Sequence, residues 1–295
     1  MKIFNFGSLN YDYVYSVDHI LMPGETLASS RMETFCGGKG LNQSVALAKA
    51  GAEVWHAGMV GEDGSTLLDM CGKNGVNTSY IRSIPGKSGH TVIQVDKNGQ
   101  NNILLFGGSN RCFTRDFVDE VFSGFEPGDM MLLQNEVNDI DYIIDTAYQK
   151  GMRIAFNPSP FDEAVKKCDL NKVSFLLLNE IEGWQISGAR EPEKILKYFA
   201  ETYPKTAIVL TLGKDGAVYQ DGSCRIKHGI YPVKVVDTTA AGDTFTGFFL
   251  SAVLQGKTPE EALEIASKAS SIAVTRKGAA PSIPTLDEVL HTSFD

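Results

Sequence analysis

Polar and apolar positions follow two rhythms along this chain. Residues 2–6, 53–60, 130–133, 153–156, 173–178 and 207–211 are short, mainly apolar runs, the pattern of strands covered on both faces. Between them lie segments with helical spacing at 65–73, 116–121, 140–149 and 191–200, and a helix through Val45, Ala46, Leu47 and Ala50 that ends at Gly51. A further strand is expected at 80–83. Strands that alternate with helices predict βαβ units and a mostly parallel sheet, an α/β fold.

Other stretches have a different rhythm. Residues 11–17 alternate, with Tyr11, Tyr13 and Tyr15 on one face and Asp12 and Val14 on the other; residues 26–35 alternate as well. Residues 91–95 and 102–106 pair as a hairpin across Asp96-Lys97-Asn98-Gly99. Half-exposed strands of this kind suit a small sheet standing off the main body. After a short antiparallel excursion (216–219, 224–228), residues 235–247 read as a strand end, a turn of small residues, and an acid at the mouth of an apolar helix built on Phe245, Phe248, Phe249, Leu250, Val253 and Leu254. A helix at 259–275 and a Gly/Pro-rich tail at 277–284 follow. Without internal repeat or linker, residues 1–295 are expected to form a single domain, with the stand-off strands at about 11–17, 26–36 and 89–106.

Composition narrows the function. A chain of 295 residues can bury a large core. Its net charge of −9, with no Lys/Arg run, argues against a nucleic-acid surface, and no apolar run is long enough to span a membrane. Cys36, Cys71, Cys112, Cys168 and Cys224 are scattered and odd in number, which fits reduced thiols in a cytoplasmic protein and neither a disulfide framework nor a zinc site. An acidic protein that binds phosphate must then use local backbone donors and a metal ion.

Polar residues gather where the expected parallel strands end: Asn10, Asn135-Glu136, Asn157-Pro158, Asn179, Thr211-Leu212-Gly213 and Asp237. One such residue is a loop; this many at the carboxyl edge of a parallel sheet point to a ligand site. The stretch Asp237-Thr238-Thr239-Ala240-Ala241-Gly242-Asp243 adds chemistry. Free N–H groups at a helix start attract phosphate, and small residues let it approach. A carboxylate there repels phosphate unless it is needed to take a proton, so Asp243 is either a helix cap or a base.

Gly37-Gly38-Lys39-Gly40-Leu41-Asn42 lacks the P-loop spacing; its double glycine allows close approach of a polyhydroxy ligand, or is simply a glycine-rich helix entry. Asn10 and Asp12 pair a donor with an acceptor, suited to vicinal hydroxyls. Asn179-x-x-Glu182 can hold a hydrated Mg²⁺ or act as a helix cap. Thr211 to Gly216 can line a nucleotide or be a hairpin connection.

Taken in order, Gly-Gly-Lys-Gly-x-Asn, Asn-x-x-Glu and Asp-Thr-x-Ala-Ala-Gly-Asp-Thr-Phe resemble the ribokinase (PfkB) family of carbohydrate kinases over essentially the whole chain. Residues 7–12, 157–160 and 273–282 add to the likeness. The resemblance implies a three-layer α/β/α domain with a small β-sheet lid, and transfer of the ATP γ-phosphate to the 5-hydroxyl of D-ribose. It implies Asp243 as base and an anion hole at Ala240, Ala241 and Gly242. Asn10, Asp12, Gly38, Lys39, Asn42 and Glu136 would bind the sugar. Asn179, Thr211, Gly213, Gly216 and Gly242 would face ATP, with Asn179 and Glu182 organising Mg²⁺. A K⁺ site would use Asp237, Thr239, Ala273, Arg276, Gly278 and Ser282, and the lid would join two subunits as a homodimer.

Thr239 stands where the family often has isoleucine, Asn135 where an apolar residue is usual, and Tyr11 is bulky enough to shape the sugar pocket. Kinases of deoxyribose, fructose or another ketose, or a nucleoside, are the neighbouring readings, and a catalytically inactive sugar-binding relative is the reading from another class. A dinucleotide-dependent oxidoreductase fails because no G-x-G-x-x-G follows the first strand.

Overall fold

The computed structural model describes residues 1–294. Nine strands form the main sheet: β1 (Ile3–Phe6), β4 (Val54–Val60), β5 (Asn77–Ser83), β8 (Met130–Gln134), β9 (Arg153–Asn157), β10 (Phe175–Asn179), β11 (Ala207–Thr211), β12 (Ala217–Gln220) and β13 (Arg225–His228). Their order is β13-β12-β11-β10-β9-β8-β1-β4-β5, parallel except for the pairs β11–β12 and β12–β13.

The apolar runs lack a polar face because each strand feeds two cores. On β8, Met130 and Leu132 enter one cluster and Met131 and Leu133 the other; β10 and β11 alternate likewise. The first core is closed by α1 (Lys39–Lys49), α2 (Ser65–Lys73), α7 (Ala241–Leu254), α8 (Pro259–Ala273) and α9 (Leu286–His291). The second packs under α3 (Arg115–Ser123), α4 (Ile140–Gln149) and α6 (Pro192–Thr202), with α5 (Glu180–Ser187) against α6. The result is a three-layer α/β/α body.

A second sheet stands off it, built from β2 (Asn10–Ser16), β3 (Arg31–Gly37), β6 (Gly89–Val95) and β7 (Asn101–Phe106) in the order β3-β2-β6-β7. The expected hairpin forms β6 and β7, its turn held by Asp96, whose carboxylate accepts the N–H groups of Asn98 and Gln100. Residues 26–30, expected within a strand, have no strand structure, and β3 begins at Arg31. Pairing explains the start: Arg31 is already opposite Ser16, the last residue of β2, so earlier residues have no ladder to join.

One expectation fails outright. Residues 235–236 do not end a strand. The backbone N–H groups of Val236 and Asp237 both donate to one carbonyl, that of Val274 just beyond α8, at 2.8 and 3.2 Å. Both valines are about half exposed, so their apolar side chains signal no sheet position. Helix α9 and the separate helix α5 are elements the apolar pattern did not resolve.

Strand order changes direction at β1, which lies between β4 and β8. In parallel sheets the loops at such a point diverge and leave a crevice at the carboxyl edge. Ser8, Gln134, Asn157, Asn179 and Thr211 all lie at that edge.

Candidate active site

Glycine makes the first half of the site possible. A Cβ at Gly40 would fall 2.3 Å from the Ser8 nitrogen, so only glycine lets the first turn of α1 press on the loop after β1. Gly38, at φ 91°, turns the chain into that helix. Lys39, Asn42 and Gln43 are thereby delivered to the crevice. Glu136, from the loop after β8, accepts the Lys39 N–H at 2.9 Å and the Ser8 hydroxyl, and its other oxygen lies 3.5 Å from the Lys39 ammonium.

The lid adds polar groups from above. Asn10 Oδ1 accepts from Asn110 Nδ2 at 2.6 Å, and Asp12 Oδ1 accepts the Thr91 hydroxyl at 2.5 Å. Burial raises the Asp12 pKa against the pull of that hydrogen bond. Burial alone would lower the Lys39 pKa, but the carboxylates of Glu136, Asp243 and Glu182 outweigh it and raise it, so the ammonium stays charged.

The second half is the start of α7. Ala240 caps this helix at φ 59°, a left-handed conformation that costs about 1–3 kcal/mol in a non-glycine residue and concentrates at functional turns. The first N–H groups of the helix have no intrahelical carbonyl partner, but that of Ala241, expected in the anion hole, is taken by the Thr238 carbonyl of the preceding turn at 3.2 Å, which leaves those of Gly242 and Asp243. A Cβ at Gly242 would meet nothing within 4 Å, so the space over those donors is open to a ligand. Asp243 sits in the first turn without capping the helix. Its Oδ2 accepts from Asn42 Nδ2 at 3.1 Å and its Oδ1 from Gln43 Nε2 at 2.9 Å. Loss of solvent raises its pKa, only partly offset by Lys39 and the two amide donors.

Two cavities meet at this carboxylate. The larger, about 1040 Å³, runs beneath the lid and is lined by all of Asn10, Asp12, Gly38, Lys39, Asn42 and Glu136. The smaller, about 230 Å³, lies along the strand ends and touches Asn179, Glu182, Thr211, Ala241 and Gly242. Lys39, Ala240 and Asp243 line both.

Gly213 and Gly216 line neither cavity. At Gly216, φ is 89° and a Cβ would lie 2.0 Å from the His228 carbonyl oxygen, so the connection into β12 itself demands glycine.

Asn179 and Glu182 form a complete capping box on α5. Asn179 Oδ1 accepts the N–H groups of Ile181 and Glu182, while the two Glu182 oxygens accept from the Asn179 backbone and side-chain amides at 2.9 and 3.1 Å. No cluster of three or more His, Cys, Asp or Glu suited to a metal occurs among the described residues. This pair suits Mg²⁺ only through bound water, which that ion readily keeps.

Asp237 is brought to the tail: Oδ2 accepts the Gly278 N–H at 2.9 Å, and Oδ1 the Thr239 hydroxyl and N–H. Burial opposes ionisation there, but these donors and Lys277 prevail and lower its pKa. Two of the other expected cation ligands have local partners: the Ala273 carbonyl accepts the Arg276 N–H, and the Ser282 hydroxyl donates to the Ala279 carbonyl. The donor set is all oxygen, which fits a hard monovalent cation.

Sequence reasoning missed Ser8, Gln43, Thr91 and Asn110 as parts of the site, and gave Asn157 no role. Gln43 carried a signal, since it follows Asn42 at the same helix start. Asn110 carried none, because only the long crossing from residue 10 brings it there.

An acid at the junction of two cavities, beside an open helix start and beneath a sheet lid on an α/β/α body, is an arrangement suited to phosphoryl transfer. Residues 1–286 match the model of the pfkB family of carbohydrate kinases, and the chain belongs to that family of sugar phosphotransferases. It is 33% identical to a ribokinase of Haemophilus influenzae, over 97% of this chain and 96% of the relative. It is 28% identical to a deoxyribokinase of Salmonella typhi, over 98% of this chain and 97% of the relative. Among solved structures it resembles Thermotoga maritima ribokinase (TM-score 0.89, 32% identity, 98% of each chain). Arabidopsis thaliana ribokinase complexed with ribose and ATP gives a TM-score of 0.88 at 30% identity, over 99% of each chain.

Proposed function

We propose that this chain transfers the γ-phosphate of ATP to the 5-hydroxyl of D-ribose, yielding ribose 5-phosphate and ADP. The observation that carries the reading is Asp243 at the boundary of a polar cavity under the lid and a second cavity along the strand ends. Ribokinase relatives, one of them solved with ribose and ATP, support the choice of acceptor and donor.

In this reading the sugar lies under the lid. Asp12, Asn10 and Asn42 pair with its hydroxyls, and Glu136 keeps Lys39 oriented toward it. Asp243 takes the proton of the primary hydroxyl as the oxygen attacks phosphorus; its raised pKa brings it nearer the operating range of a general base. The unpaired N–H groups at Gly242 and Asp243 face the charge that develops on the transferred group, with no reorganisation needed. Lys39 borders both cavities and adds a fixed positive charge between them.

Bound Mg²⁺ would supply charge neutralisation on the ATP phosphates. Asn179 and Glu182 would orient its waters, at the edge of the smaller cavity. Asp237 and Thr239 would hold K⁺ with carbonyls of the tail, beneath the turn whose left-handed Ala240 aims the anion hole. The lid's outer strand exposes Leu104 and Phe106 on the face away from the cavity, which supports pairing of two copies through the lid, as a dimer mass in solution would register.

The deciding experiment is a coupled ADP-release assay over ribose, deoxyribose, fructose and nucleosides. Ribose should give the highest kcat/KM. Preference for deoxyribose or a nucleoside would replace the substrate, and no ADP release with any sugar would overturn the kinase reading.

A further inference from the structure

Behind Asp243 lies a chain of buried amides outside the sugar contacts. Gln43 and Gln134 are each only 1% exposed. Gln43 Nε2 donates to Asp243 Oδ1 at 2.9 Å and to Asn157 Oδ1 at 3.3 Å, while its Oε1 accepts from Gln134 Nε2 at 2.6 Å. Gln134 lines neither cavity.

The direction of every amide in this chain is determined by its neighbours. Asn5 Nδ2 donates to the Gly40 carbonyl at 2.8 Å and to Ser44 Oγ at 2.9 Å, which turns Asn5 Oδ1 toward Gln134. Gln134 Nε2 therefore donates both to that oxygen, at 2.9 Å, and to Gln43 Oε1. On the far side, Asn157 Nδ2 donates to the Leu177 carbonyl at 2.8 Å, which turns its oxygen toward Gln43. A flip of Gln43 would set oxygen against Asp243 and Asn157 and NH₂ against NH₂ at Gln134. The cost already borne is visible at Gln134 Oε1, which is buried with no partner. An unsatisfied buried acceptor of that kind costs about 1–3 kcal/mol.

We infer that Gln43 is the positioning residue of the catalytic carboxylate, with Gln134 and Asn157 locking its amide so that only N–H faces Asp243 Oδ1. The lock holds Asp243 in one rotamer and pairs one oxygen with a donor, leaving the Oδ2 side, shared with Asn42, for the substrate hydroxyl. The charged groups facing Asp243 from the surrounding elements are Lys39 of α1, Glu136 after β8 and Glu182 of α5, and the Gln43 side chain hydrogen-bonds to none of them, only to Asp243, Asn157 and Gln134.

This inference rests on Asp243 acting as base. The test is steady-state kinetics and pH profiles of Gln43→Met, Gln134→Met and the double variant, with Asp243→Asn alongside. Gln43→Met should lower kcat by about tenfold or more, because a small misplacement of a reacting group is costly, while sugar and ATP KM stay within about twofold. The acid limb of its kcat/KM profile should move to higher pH, since a donor that favoured the ionised carboxylate is gone. Gln134→Met should share the direction with a smaller effect, and the double variant should be no slower than Gln43→Met alone. Should Gln134→Met fail to fold, Gln134→Glu replaces it: a neutral carboxyl can donate to only one of the two acceptors, so the same direction is expected. Wild-type kcat and pH profile in folded Gln43→Met would overturn the inference, as would losses that simply add in the double variant. If Asp243→Asn is inactive while Gln43→Met keeps the wild-type kcat and pH profile, the positioning role fails and the base stands; if Asp243→Asn is active, the base itself is wrong.

Discussion

Replacing Asp243 by Asn separates catalysis from stability in one substitution. The side chain keeps its shape, but its amide presents one oxygen where the carboxylate presented two. Asn42 and Gln43 both donate to that carboxylate, so one of the two donors loses its acceptor. A hydrogen bond to a charged group is worth about 1.5–3 kcal/mol, and this loss opposes folding. Against it, the variant no longer holds a charge away from water, and the raised pKa shows that burial already outweighs Lys39 and the two donors. The signs oppose, so Tm should move by only a few degrees, at about 2–4 °C per kcal/mol for a chain of this class.

Activity has no such compensation. An amide cannot take the hydroxyl proton, so if Asp243 is the proposed base its loss lowers kcat about 10²–10⁴-fold, or roughly 2.7–5.5 kcal/mol of transition-state stabilisation. ATP binding should persist, because Asn179, Thr211 and Gly242, the residues proposed to face ATP, are untouched. ADP release at saturating sugar and ATP, with thermal melts of both proteins, measures all of this. In the wild type the acid limb of kcat/KM should lie above the ordinary carboxylate value near 4. The same raised pKa makes the folded state bind the Asp243 proton more tightly than the unfolded chain does. Its stabilising contribution is therefore full below the unfolded pKa and lost as pH rises through the folded one. Near-wild-type turnover in the variant would refute the assignment, and a collapse of Tm would refute the balance of terms.

Asp12→Ala should raise the sugar KM by about tenfold or more while the ATP KM hardly changes, since Asp12 lines only the cavity beneath the lid; equal changes in both would remove the lid from sugar binding. Activity in KCl should exceed that in NaCl at equal ionic strength, and Asp237→Asn should abolish the difference. Identical rates in the two salts would eliminate the cation site between Asp237 and the tail.

The order of strands and helices was legible in the sequence because burial on both faces of a parallel strand leaves an uninterrupted apolar run. Residues 130–133 and 207–210 show this directly, as their side chains feed opposite cores in turn. Residues 235–236 misled for the same reason: two valines look like a strand end, yet a solvent-exposed segment can satisfy its N–H groups on the single carbonyl of Val274. The lid's start at Arg31 was equally invisible, because a strand ends where its partner does and pairing is not local.

The sequence by itself determined the chemical parts: a small-residue turn before an acid, a glycine-rich helix entry, and polar residues at strand ends. Such features depend on neighbours within a few positions, where backbone geometry and side-chain size decide the outcome. Only the tertiary structure decided how they meet. It made Asp243 the junction of two cavities, assigned the oxygens of Glu182 to a helix cap, left Gly213 and Gly216 outside the cavities, and set Gln43 against the carboxylate. Residues 5, 43, 134, 157 and 243 converge because strand order reverses at β1 and opens the crevice there. Contacts over such separations are settled by sheet topology, which no local pattern encodes.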